Sequence, residues 1–346
     1  MNPSNFSFTI ILETTEKVLQ KNINHQLRQN IDQKNNDLIN FWNEVEEIGL
    51  PKIVVKEKFD GFNLEFASVL PIIQLSNSLG APIPLSETIL CNYILSECDI
   101  NPPEGMITFA NATKNIKISG NELSGELISV PYLNLTDKIM FITKIDGVEK
   151  VVFLQNSNLD IEQKKNFLAE PRFNVNLKNN NIIEIKTLNP KINFNYLGAI
   201  LRSAQMIGSM EKILNLSIDY CSQRKQFGRP LSKFQAIQHQ ISEMAVELSA
   251  SSAALSTIAS SEDLSKNIYD IAILKIRTGI AAGKIIAISH QVHGAIGFTK
   301  EYELAYFTKN LNSWRNDFGN ESYWEEFLGK DFLENSNKNL WEYLTY

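Results

Sequence analysis

Two stretches of the sequence combine residue types that could hold a phosphorylated ligand. The first runs Tyr220-Cys221-Ser222-Gln223-Arg224-Lys225-Gln226-Phe227-Gly228-Arg229-Pro230-Leu231 and continues into Phe234-Gln235-Ala236-Ile237-Gln238-His239. An arginine beside a glycine turn between helices can pair with a pyrophosphate through its planar fork of N–H groups. The second runs Gln291-Val292-His293-Gly294-Ala295-Ile296-Gly297-Phe298-Thr299. A glycine-rich helix end lets backbone approach a ligand without side-chain obstruction. Gln235 and Gln291 add amide donors and acceptors suited to ribose, phosphate or adenine edges. Taken singly, each stretch also has a plain structural reading. Gly228 and Gly294 would cap helices, and Arg224 would form a surface ion pair. Together they favour a dinucleotide.

The elements that must position these residues are helical. Leu197, Ile200, Leu201, Ala204, Ile207 and Leu214 form one apolar face. Ile237, Ile241, Met244, Ala245, Leu248, Leu255 and Ile258 form a second. Ile271, Leu274, Thr278, Ala281, Ile285 and Ile288 form a third, and Leu304, Phe307, Leu311 and Trp314 a fourth. Four such stripes at helical spacing predict a four-helix bundle over 191–346. Upstream, 105–190 alternates in short runs broken by turn residues and predicts a small β domain: Met106–Ala110, Ile116–Ser119, Glu126–Val130, Lys138–Thr143 and Val151–Leu154, with a hairpin at Asp146-Gly147. Residues 1–104 read as a helical domain, with helices over Asp37–Ile48, Phe66–Leu79 and Ser86–Ser96, the last capped by Ser86. The fold class is α+β multidomain.

Composition narrows the field further. Hydrophobic content of 43% and charged content of 21% suit an ordinary globular protein of 346 residues. A net charge of -6 without any lysine or arginine run argues against nucleic acid as a partner. No run approaches the length needed to span a bilayer, and the N-terminus lacks the pattern of a signal peptide, so a cytoplasmic location is expected. Cys91, Cys98 and Cys221 have no CxxC spacing and read as reduced thiols. His25, His239, His290 and His293 are scattered, so no metal site is expected.

The two stretches resemble the RxxFGxPLxxFQxIQ and QxHGxxGFT signatures of acyl-CoA dehydrogenases. Weaker echoes of that family lie in Trp42–Pro51 (WxExxxIGLP) and Leu79–Thr88 (LGxPxPLxET). The resemblance implies an FAD-dependent enzyme that takes an α-proton from an acyl-CoA thioester while hydride passes to the flavin, with an electron-transfer flavoprotein as onward acceptor. It implies a homo-oligomer or a heterotetramer with a related chain, in which Arg224, Phe227, Gln235 and the run Gln291, Val292, His293, Gly294 and Ala295 contact the dinucleotide, reaching that of a neighbouring subunit. For His293 the expected contact is through backbone.

The sequence departs from the family where the base should be. The family's Tyr-Glu-Gly-Thr glutamate aligns with Phe318, ahead of Gly319, and an alternative family location falls at about Gly198. The nearest carboxylate is Asp317, the expected base, with Glu321 second; a plain alternative pairs Asp317 with Arg315. The family's Thr/Ser-Glu-Pro…Gly-Ser-Asp segment has no clear counterpart: Thr108–Asn111 occupies its place, and Glu170-Pro171 comes too late in the chain and reads as coincidence. Three functions follow: an acyl-CoA dehydrogenase in its own right, a non-catalytic or half-site subunit of a heteromeric one, or a flavin monooxygenase or acyl-CoA oxidase on the same scaffold.

Overall fold

A computed structural model describes residues 3–32, 36–119, 122–156, 159–163, 169–261 and 268–335, with 339, 341 and 342. The N-terminal region is helical: α1 (Pro3–Asn22), α2 (His25–Gln29), α3 (Asn36–Glu47), α4 (Leu70–Ser78) and α5 (Leu85–Glu97). Leu38, Phe41, Trp42 and Val45 put the apolar stripe of α3 into the core. The chain then turns at Gly49, whose φ of 78° is left-handed. α5 is buried nearly all round, as a helix enclosed by other helices must be. Ser86 does not cap it. Pro84, which has no N–H to leave unpaired, takes the cap position, and Ser86 is buried in the first turn beside Asn77. Residues 66–69 form a 3-10 turn before α4 rather than its first turn, because Pro71 fits the start of an α-helix. Helix α1 was not anticipated.

The central region contains β1 (Ile107–Ala110), β2 (Ala112–Ser119), β3 (Glu122–Pro131), β4 (Lys138–Ile145), β5 (Val148–Gln155), β6 (Asp160–Gln163) and β7 (Arg172–Thr187). The strand order is β1-β4-β5-β7-β3-β2, with β6 on β7. β1 and β4 are parallel and the other pairs antiparallel. Asp146 and Gly147, at φ of 51° and 79°, form the tight turn between β4 and β5. β7 is long enough to pair with β5 at one end and β3 at the other, and its alternation carried no separate signal. Leu127, Phe141, Val152, Leu154 and Val175 belong to a core of its own for this region.

The C-terminal region comprises α6 (Phe194–Gln223), the hairpin β8 (Lys225–Gln226) and β9 (Arg229–Pro230), α7 (Gln235–Ala259), α8 (Ile268–His293), α9 (Leu304–Trp314) and α10 (Glu321–Asn335). α6 is the central helix. It packs against α4, α7, α8 and α9, and it is buried without a break from Leu197 to Met210. One apolar cluster runs through the N-terminal helices and the bundle together. α10, which lies on α8, was not anticipated. Among the described residues no helix is long and apolar enough to cross a membrane, and no cluster of His, Cys, Asp or Glu could hold a metal ion.

Candidate active site

The two sequence signatures meet at one end of the bundle. Tyr220, in the last turn of α6, stacks on His293, the last residue of α8, with ring centroids 4.5 Å apart and planes 26° apart. Beyond Tyr220 the backbone N–H of Arg224 donates to the Tyr220 carbonyl at 2.8 Å, ending the helix. The hairpin then turns through Phe227 and Gly228, both at left-handed φ (52° and 81°), which leaves the Phe227 side chain 92% exposed at the tip. Gln235 is the exposed first residue of α7. On the other side α8 passes into a 3-10 turn, Gly294–Phe298, with Gly294 at φ 64°.

Arg224, Phe227, Gln235, Gln291, Gly294 and Ala295 are exposed on this rim, whereas the side chains of Val292 and His293 are buried and only their backbone can face outward. Nothing lies within 4 Å of where a Cβ would stand at Gly228 or Gly294. Among the described residues Arg224 has no ion-pair partner, so its guanidinium is available to an anion.

Asp317 lies elsewhere, in a buried ionic cluster that ties the three regions together. Its carboxylate accepts from Arg172 Nη2 at 2.7 Å and from Arg202 Nε at 3.0 Å. Arg202, on α6, also reaches Glu87 of α5 at 2.6 Å and the Gln205 side-chain oxygen at 2.6 Å. Arg172, at the start of β7, pairs with Glu170 at 2.5 Å and donates to the Ser129 carbonyl of β3 at 3.0 Å. Glu170 in turn accepts from the Trp314 indole at 3.0 Å. Lys275 of α8 completes the cluster by donating to the carbonyls of Trp314 and Arg315 at the end of α9, at 3.2 and 2.9 Å. Arg315 pairs with Glu321 at 2.8 Å, not with Asp317, and so engages the second candidate carboxylate.

The electrostatics follow from this arrangement. Burial would raise the Asp317 carboxyl, but Arg172 and Arg202 hold it below the usual carboxylate range. Burial raises Glu87 despite Arg202. Lys275 is pushed down to about 8 by burial, against the pull of Asp317 and Glu321.

Phe318 and Gly198, the positions where the resemblance leads one to expect a base, lie against each other. Phe318 has a left-handed φ of 56°, followed by Gly319 at 91°. Its ring fills the space over Gly198, where an added Cβ would come within 2.3 Å of it. Phe109 and Phe194 close around the ring at centroid distances of 5.5 and 5.3 Å. The Trp324 indole fixes the turn by donating to the Phe318 carbonyl at 3.1 Å. Thr108, in the place of the family's missing segment, spends its hydroxyl on the Pro131 carbonyl at 2.7 Å.

Sequence reasoning missed most of the cluster. Arg202 did leave a signal, as the only charged residue between Phe194 and Met210 on a mostly apolar helix. Glu170, whose likeness to the family segment reads as coincidence, is fully buried at the centre. Arg172 and Lys275 left none.

The family model for the acyl-CoA dehydrogenase C-terminal domain matches residues 194–321. Acyl-CoA dehydrogenase IpdE2 of Mycolicibacterium smegmatis is 22% identical over 279 residues, covering 79% of this chain and 81% of the relative. These matches support a member of the acyl-CoA dehydrogenase family. The fold agrees along its length with solved structures. The ChsE4-ChsE5 complex from Mycobacterium tuberculosis superposes with a TM-score of 0.84 at 13% identity, covering 97% of this chain and 99% of that one. A glutaryl-coenzyme A dehydrogenase in complex with glutaryl-CoA gives 0.81 at 18% identity, covering 98% and 97%.

Proposed function

We propose that this chain is the half-site subunit of a heteromeric, FAD-dependent acyl-CoA dehydrogenase, which lends its rim to a flavin whose catalytic carboxylate belongs to a related partner chain. The observation that carries the reading is the packing of Phe318 on Gly198. By the family resemblance these are the positions for a base, and here a phenyl ring and a hydrogen atom fill them. Abstraction of a weakly acidic α-proton needs a carboxylate free to reach it. Asp317 is the nearest, and two guanidinium groups engage it.

The rim supports the other half of the proposal. Arg224, Gln235, Gln291 and the open backbone at Gly294 fit a diphosphate and its ribose, and they face outward from the bundle. When bound, FAD supplies the two-electron acceptor for acyl-CoA α,β-dehydrogenation, with an electron-transfer flavoprotein as the onward acceptor in this family. Exposed Val246 on α7 and Ile273 and Ile280 on α8 give the bundle apolar surface for another subunit. The ChsE4-ChsE5 neighbour was itself solved as a complex.

A stand-alone dehydrogenase with Asp317 as base is the second reading, favoured by the position of Asp317 beside Phe318. It requires the carboxylate to leave both arginines during turnover. Co-expression with candidate partner chains tests the proposal: flavin and acyl-CoA-dependent dye reduction should appear only in the mixed complex. Turnover by this chain alone would exclude it.

A further inference from the structure

Three segments, the end of α6, the end of α8 and the turn into α9, meet on the ring of His293. Its Nδ1 lies 2.7 Å from the Ser289 carbonyl oxygen one turn back, and its Nε2 lies 3.2 Å from the Tyr302 hydroxyl. A carbonyl only accepts, so the neutral ring carries its proton on Nδ1, and Nε2 accepts from the Tyr302 O–H. Tyr220 lies against one face of the ring, and the Tyr302 ring stands 5.2 Å away at 50°. His293 is 3% exposed, yet the next residues, Gly294 and Ala295, are exposed.

The arrangement couples both halves of the rim to one imidazole. Tyr220 is the residue whose carbonyl accepts from Arg224, so the stack on His293 sets where the hairpin leaves α6. Tyr302 belongs to the turn into α9, so its hydroxyl ties that turn to the same point. His290, one turn earlier, steadies the far end: it stacks on Phe298 at 4.1 Å and 19°, and its Nε2 lies 3.1 Å from the Thr308 hydroxyl.

We propose that neutral His293 is the positioning residue that holds the Arg224 hairpin and the Gly294–Phe298 turn in register, with His290 supporting the outer end of that turn. The proposal rests on the reading of this rim as the partner-facing surface, but its geometry stands apart from any cofactor. The titratable groups against it are Tyr220 from α6, Tyr302 from the turn into α9 and His290 from α8 itself, while Asp219, Cys221 and Glu303 act on Tyr302 behind it. Burial lowers both imidazoles, so acid should act on the rim below about pH 6.5, the ordinary histidine value.

Amide hydrogen exchange on the full chain tests this without flavin or partner. His293→Ala should speed exchange about tenfold in peptides covering both 221–231 and 293–299, leaving the β4–β5 hairpin unchanged. Tyr302→Phe should give the same pattern more weakly. In the wild type, lowering the pH from 7.5 until the ring protonates should loosen both peptides with one midpoint below about 6.5, after correction for intrinsic rates, and His293→Ala should abolish that common midpoint. Loosening of 293–299 alone, or two separate midpoints, would overturn the proposal. If His293→Ala does not fold, the Tyr302→Phe and wild-type pH series decide it by the same criteria. Failure here would leave the subunit assignment standing, since that depends on where flavin and turnover appear.

Discussion

Asp317→Asn separates the two accounts of that carboxylate. In the structure it accepts from Arg172 at 2.7 Å and Arg202 at 3.0 Å, and the two arginine side chains are 1% and 0% exposed. Asparagine keeps the shape and one acceptor but removes the charge, leaving Arg172 and Arg202 facing Glu87 and Glu170, and Lys275 facing Glu321. Removing one partner of a buried pair costs about 3–5 kcal/mol. Because the amide oxygen still accepts and Glu170 stays on Arg172, the lower end applies, about 3 kcal/mol. Urea unfolding at pH 7.5 measures it as a fall in midpoint at unchanged slope. The pH dependence has a fixed sign. Arg172 and Arg202 depress the folded carboxyl, so its contribution is present above the unfolded value of about 3.9 and is lost as pH falls through the folded value. The gap between wild type and variant should therefore close in strong acid. A loss under about 0.5 kcal/mol, together with abolished turnover in the active complex, would refute the anchoring role and restore Asp317 as the base.

Three further outcomes are expected. Gly198→Ala should destabilise by about 1–3 kcal/mol, because the new methyl meets the Phe318 ring; adding Phe318→Ala should recover part of the loss, and simple additivity would mean that the two do not pack. Lys275, depressed to about 8 in the folded state, penalises folding most at neutral pH, so its penalty shrinks as pH rises from 8 towards the unfolded value of about 10.4. Thermal unfolding at pH 7.5 and 9.5 should show this rise in the wild type and not in Lys275→Met. Arg224→Ala and Phe227→Ala should leave chain stability within about 0.5 kcal/mol while lowering the flavin retained by the mixed complex, read by absorbance after gel filtration.

How much of this was legible in the sequence depends on the kind of signal. The bundle was legible because stripes such as Leu304, Phe307, Leu311 and Trp314 repeat at helical spacing, and all four are buried. The Asp146-Gly147 turn was legible because an Asp-Gly pair between apolar runs suits the left-handed backbone of a two-residue hairpin. The rim was legible as two motifs, but their meeting through Tyr220 and His293 depends on how α6 and α8 pack. The cluster around Asp317 was not legible. Its members lie on α5, β7, α6, α8 and the turn after α9, and no local pattern records a contact between Arg172 and Asp317. The plain pairing of Asp317 with Arg315 failed because Arg315 turns to Glu321 instead.

The most direct test of the central claim is the visible absorption spectrum of the purified chain, alone and co-purified with related family chains, before and after adding acyl-CoAs. Without a partner the preparation should be free of flavin and unchanged by any acyl-CoA; with the right partner it should show the flavin bands and bleach. A yellow preparation of this chain alone that bleaches with an acyl-CoA would contradict the account.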